Sequence, residues 1–411
     1  MRWSRRSLLG CCAGALGALA GCGYRQAAGR DSPAGDGTTP TPTAPPTETP
    51  ERRMVNGIRV PVPLSELRRG APKNGIPAIV DPAFAEDWSG FSIEVNTNTG
   101  TYVSEPRLES DDRVIGVERD GEARAYPLRV LNWHEIVNDS LGGPLLVTYC
   151  PLCGSGLTAV RRAGGEETIF GVSGYLHNQD LVMYDEATGS LWSQIAATAI
   201  RGPLTGETLE LVPSTLTTWG EWQAVNPETV VLRPPPESTT ITDTGPANYT
   251  RYPYRNYREN DRIGLGGAFS DDRLHPKTMV VGVSRDGAAV AYPLDAVQEA
   301  GVINDVVGGF PVVVAATEAG TLVAYSRRVD GETLTFERAG TDHLRAGGSR
   351  WRITTGTAVD GPHQGTTLTK ANDASPMFFF AWKKFNPDTA VYGAENTDTA
   401  DGAEATGTPT G

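Results

Sequence analysis

The stretch VIGVERDGEARAYPL (114–128) returns 166 positions later as VVGVSRDGAAVAYPL (280–294). In both, an Asp-Gly pair (Asp120-Gly121, Asp286-Gly287) separates two apolar runs, which is the signal of a two-residue hairpin. The echo continues. WQAVNPETVV (222–231) matches WKKFNPDTAV (382–391), and SLWSQ (190–194) matches SRWRI (349–353). A repeat this long predicts a tandem duplication of two related domains rather than a solenoid. The motif-bearing copy spans 54–238 and a degenerate copy spans 239–394. Most of each copy reads as strand. Pro127 is expected to open a helix over LRVLNWHEIVN, closed by the glycines of SLGG, and a second helix near Thr217–Val225 stops at Asn226-Pro227. The expected class is therefore α+β, rich in β.

The flanks belong to no fold. Residues 1–22 carry Arg5-Arg6, a short apolar run from Leu8 to Ala20, and LAGC ending at Cys22. This is the pattern of a twin-arginine lipoprotein signal with Cys22 as the lipidated residue, the apolar run being too short to span a bilayer. Residues 23–53, including TTPTPTAPPTETP, form a Thr/Pro-rich tether, and 395–411 an acidic tail. Neither has the apolar content to offset chain entropy. The expectation is a protein held by its lipid on the outer face of the cytoplasmic membrane. The formal charge of −13 is spread along the chain, in the manner of halophilic proteins. No basic run opposes it, which excludes nucleic acid as a partner. No nucleophile elbow, phosphate-binding glycine loop or dinucleotide fingerprint is present.

The chemistry concentrates in TYCPLCGS (148–155). At the matching place the later half reads VAATEAGT (314–321). Cys150 becomes Ala316, Cys153 becomes Ala319, and His134 becomes Ala300, while the hairpin, the Asn-Asp pair and the double glycine are kept. Joint loss is what a shared site predicts. Three readings fit the cysteine pair. In the first, a strand-flanked CPLCG turn presents Cys150 and Cys153 to a soft metal, zinc or copper, with His134 as the third ligand. Glu135, Asn178, Asp180, Gln194 and His177 are then candidates to surround and orient them. In the second the pair is a thiol–disulfide oxidoreductase centre, although no helix start follows Cys153 to support a thiolate. In the third it is a structural disulfide in a surface protein, whose four-residue loop gains only about 2 kcal/mol. RYPYRNYREN (251–260) matches neither copy and is read as a cover over the first.

AYPLRVLNWHEIVNDSLGG (125–143), VTYCPLCGSGL (147–157), FGVSGYLHNQDLVMYD (170–185) and LWSQ (191–194) together resemble the domain-of-unknown-function family 3179. The resemblance implies that these segments belong to one pattern. It brings no activity with it.

Overall fold

The computed structural model describes residues 52–97, 100–372 and 374–394. The Asp-Gly signal gives tight hairpins at both places. Asp120 and Gly121 take φ of 53° and 82° between strands Arg113–Arg119 and Glu122–Pro127, paired from Val114↔Pro127 to Arg119↔Glu122. Positive φ at both central residues matches the twist of the strands they join. Asp286 and Gly287 do the same between Met279–Arg285 and Ala288–Pro293. The glycine inside each first strand has a packing reason. A Cβ on Gly116 would lie 2.3 Å from the Trp222 ring, and one on Gly282 would lie 2.3 Å from Trp382. Each indole N–H then donates to a threonine seven residues on, Thr229 and Thr389.

Around these hairpins, six sheets of three to five strands form a six-bladed β-propeller. Three blades matter for the site. The first has the strand order Thr215–Thr218, Arg113–Arg119, Glu122–Pro127, Val230–Arg233 and Ala83–Ala85. The second runs Ser155–Val160, Pro144–Cys150, Ile136–Ser140, Ile79–Asp81 and Thr239–Thr240. The third runs Thr198–Arg201, Leu191–Ser193, Asp180–Asp185, Phe170–His177 and Arg68–Arg69.

The expected α+β class is overturned. Among the described residues the α-helices are four, each of seven residues, and they only link strands. The helix expected across LRVLNWHEIVN stops at His134 because Glu135 turns to φ 58° and Ile136–Ser140 enters the sheet beside Pro144–Cys150. Tertiary pairing overrides the helical pattern there. The helix Trp219–Val225 begins at Thr218, whose hydroxyl accepts from Glu221 N, and ends at Asn226, as its sequence predicts.

The expected tandem duplication into two related domains is also not found. The described residues group as one compact unit. The largest core cluster runs continuously from Ala78 through Cys150, Phe170 and Trp192 to Phe378, Phe380 and Trp382. Two modules with separate cores would not share this interior.

Candidate metal centre

The cysteines sit where one hairpin ends. Strands Pro144–Cys150 and Ser155–Val160 pair from Leu145↔Val160 to Cys150↔Ser155, so Pro151–Gly154 form the turn. Cys153 N donates to Cys150 O at 3.2 Å, and Gly154 curls the chain at φ 65°. A Cβ on Gly154 would meet the Phe378 ring at 3.0 Å, and Phe378 N donates to Cys153 O at 2.8 Å. The turn is thus clamped from the far half of the chain. Gln194 holds it from beneath: its Nε2 donates to Thr148 Oγ1 and Ser155 O, and its Oε1 accepts from Ser155 Oγ. Both cysteines are buried free thiols.

The next hairpin supplies a third group. Asn178 and Gln179, at φ 53° and 72°, turn the chain between Phe170–His177 and Asp180–Asp185. That turn brings Asp180 to the thiols, and the two sulfurs and a carboxylate oxygen lie within 4.8 Å of one another. Cys153 Sγ also donates to Gln179 O at 3.3 Å. Asp180 Oδ2 accepts from Ser193 Oγ at 2.8 Å and Ile195 N at 3.1 Å. Its Oδ1 is buried with no hydrogen-bond partner. An orphaned carboxylate oxygen beside two thiols is costly unless something fills the place.

The electrostatics point the same way. Burial pushes Asp180 up to about 7, against hydrogen bonds from Ile195 N, the Ser193 hydroxyl, Gln194 N and Leu181 N. Burial pushes Glu135 up to about 8, with Asp180 adding to the rise. The Cys153 thiol is raised by burial first, then by Cys150, Asp180 and Glu135. Buried acids that hold one another's protons on would be relieved by a cation.

His134, proposed from sequence as the third ligand, is not a member of this group. Its Nδ1 lies 2.8 Å from Pro77 O and its Nε2 lies 2.7 Å from the Tyr249 hydroxyl, so both ring nitrogens are engaged elsewhere. Burial lowers it to about 4. Glu135 is buried and accepts from the Tyr254 hydroxyl at 3.3 Å. Asn178 shapes the turn, and Gln194 braces the strands. His177, whose Nδ1 is buried without a partner, takes its nearest charges from Glu66 and Arg52. Cys22 lies outside the described residues.

Sequence reasoning missed Tyr257 and Tyr254 as site residues. Tyr257 donates to Leu152 O at 2.8 Å and accepts from Gly264 N, so it pins the cysteine turn. The only signal was RYPYRNYREN itself, three tyrosines in a stretch without a counterpart.

Fold and site together define a β-propeller with a buried thiol–carboxylate centre between its second and third blades. The chain belongs to the family described as protein of unknown function (DUF3179), whose model matches residues 73–389. No curated protein and no solved structure matches it.

Proposed function

We propose that the protein binds a metal ion at Cys150, Cys153 and Asp180, with zinc as the best fit. The observation that carries this reading is the buried Asp180 Oδ1, without a hydrogen-bond partner, beside two unbridged cysteines. A tetrahedral zinc ion with Zn–S near 2.3 Å holds its sulfurs about 3.8 Å apart. Donors already within 4.8 Å need only small rotamer changes to reach that spacing. The donor set bears on the choice of ion. Two thiolates alone would suit copper(I), whereas a carboxylate is a hard donor and favours zinc. Bound zinc would supply Lewis acidity or purely structural cross-linking. The protein's part is to hold the donors in register through Gln194, Ser193 and the Phe378 clamp.

Thiol–disulfide chemistry draws on a first thiolate stabilised at a helix N-terminus, whereas the turn Pro151–Gly154 runs straight into the strand Ser155–Val160. The setting remains the one the leader suggests: export through Arg5-Arg6 and lipid attachment at Cys22 on the outer face of the cytoplasmic membrane. No helix among the described residues is long and apolar enough to cross a membrane.

The test is metal analysis of purified protein, wild type against a Cys150→Ser/Cys153→Ser double variant. About one equivalent of zinc in the wild type and none in the variant supports the reading. Copper instead would replace the ion but keep the site. Absence of any metal, with no uptake on titration, would overturn it.

A further inference from the structure

We propose that a cavity walled by the end strands of three blades binds a small carboxylic acid as its monoanion, with the Lys370 ammonium as counter-ion. The cavity has a volume of about 210 Å³, and Leu157, Thr158, Thr215, Leu216, Leu322 and Val323 are among its walls. These residues belong to strands Ser155–Val160, Thr215–Thr218 and Leu322–Ser326, each the end strand of its sheet and buried along most of its length. Buried end strands surround the central channel of a propeller, so the cavity lies on its axis. Exposed Pro213 at the rim leaves a way in from solvent.

Charge is the first observation. Among the described residues that line the cavity, Lys370 alone is ionic, and no Asp or Glu faces it there. Its amine makes one described hydrogen bond, to Thr215 Oγ1 at 3.4 Å, and stands 5.6 Å from the centre of the Tyr325 ring. That bond is long and easily given up. Burial lowers the amine to about 8 with no carboxylate to counter the drop, and it remains protonated at neutral pH. An ammonium held in a pocket without an anion is costly, and a carboxylate that enters removes the cost.

The second observation is that the fold does not need a lysine here. Lys370 bridges Tyr325 antiparallel, and Leu211 bridges Ala159 in the same way. The flanking bonds correspond. Ser326 N donates to Thr369 O at 2.8 Å and Ala371 N to Ala324 O at 2.9 Å; Val160 N donates to Glu210 O at 2.7 Å and Val212 N to Thr158 O at 2.9 Å. Leu211 and Lys370 thus hold equivalent places beside two different sheets, and both line the cavity. Leucine fills that place without burying a charge. The lysine supplies something leucine does not.

The third observation is the match to the ligand. An ammonium has three donors, and the one spent on Thr215 leaves two for the two oxygens of a carboxylate. One positive charge balances one negative charge, which favours a monoanion over a phosphate dianion. Leu157, Leu216, Leu322 and Val323 are each no more than 3% exposed and offer an apolar wall to the body of the acid. A cavity of about 150 Å³ holds benzene, so the volume here suits acids up to the size of benzoate.

Formate, isobutyrate and para-fluorobenzoate, titrated into wild-type and Lys370→Met protein, test this. Fluorine NMR follows the last, and melting temperature follows all of them. At least one acid should bind the wild type and raise its melting temperature. Lys370→Met should bind that acid more weakly by about tenfold or more, the worth of one hydrogen bond to a charged group. The variant is expected to fold, since Leu211 fills the equivalent place, and its own melt checks this. The neutral analogue para-fluorobenzamide should bind the wild type no better than para-fluorobenzoate binds the variant. Failure of every acid to bind, or equal binding to wild type and Lys370→Met, would overturn the proposal. Inorganic phosphate bound as tightly as the acids would overturn the choice of a carboxylate. An acid held at the thiol centre instead would be indifferent to Lys370→Met, so the outcome is independent of the metal reading.

Discussion

The Tyr254 hydroxyl donates to Glu135 Oε1 across 3.3 Å, tying a segment that follows the third blade to the end of the helix that leads into the second. With Tyr257 on Leu152 O, this makes the 251–260 stretch a cover over the thiol centre. Tyr254→Phe removes one bond to a buried carboxyl, and we expect a loss of about 1–2 kcal/mol in urea melts of the metal-free protein. Zinc uptake followed by stopped flow should be faster in the variant, because the cover over the thiols is then held by one bond fewer. Unchanged melts and unchanged uptake would mean the contact holds nothing in place.

His134→Gln separates a structural histidine from a ligand. Both ring nitrogens are spent on Pro77 O and the Tyr249 hydroxyl. The variant should lose about 1–3 kcal/mol of stability, the cost of unsatisfied buried groups, while its zinc stoichiometry stays at the wild-type value. A variant that folds normally but loses zinc would restore His134 to the centre.

Asp180→Asn keeps the Ser193 contact in shape but replaces a charged donor with a poor one. Zinc affinity should fall at least tenfold, a drop of about 1.4 kcal/mol or more. The metal-free melt should stay close to wild type, since no anion is then left buried. A collapse of the metal-free fold with zinc affinity retained would make Asp180 structural.

Lys370 gives a pH dependence remote from the centre. Burial lowers its amine to about 8, and its described hydrogen bond is to Thr215 Oγ1 at 3.4 Å. The unfolded chain titrates near 10.4, so between about 8 and 10.4 it binds more protons than the folded protein. Stability contributed by this group therefore rises with pH through that window and is lowest below 8. Lys370→Met should be more stable than wild type at pH 7, by at most about 3 kcal/mol, with the gap closing near pH 10.5. Urea melts at the two pH values check this; a gap that is absent or independent of pH would contradict it.

Local pieces of the fold were legible in short signals; the propeller itself was not. Asp120-Gly121 and Asp286-Gly287 fixed hairpins because glycine and aspartate accept the positive φ that such turns demand. Asn226-Pro227 stopped a helix. The class was misread where local and tertiary preferences diverge. LRVLNWHEIVN has helical periodicity to its end, but Ile136–Ser140 is drawn into the sheet by strand pairing that no local pattern announces. The echo between halves was real in sequence, yet it could not reveal that Phe378 and Trp382 pack into one interior with Cys150 and Phe170.

The site was legible in part for a similar reason. Cys150 and Cys153 stood out by spacing, and Asp180 was among the candidates around them. His134 stood out by its loss together with the cysteines, but its ring nitrogens are spent on Pro77 O and the Tyr249 hydroxyl, contacts that no local pattern announces. The positive φ that ends the helix leaves His134 bonded to Pro77 and Tyr249 and buries Glu135 beside Tyr254.

The central claim is a metal held by the two thiols and Asp180, and elemental analysis of wild-type and Cys150→Ser/Cys153→Ser protein, purified without chelator, tests it most directly. The account predicts about one equivalent of zinc in the wild type and a background level in the variant. Equal, background-level metal in both, persisting after zinc titration and dialysis, would contradict it.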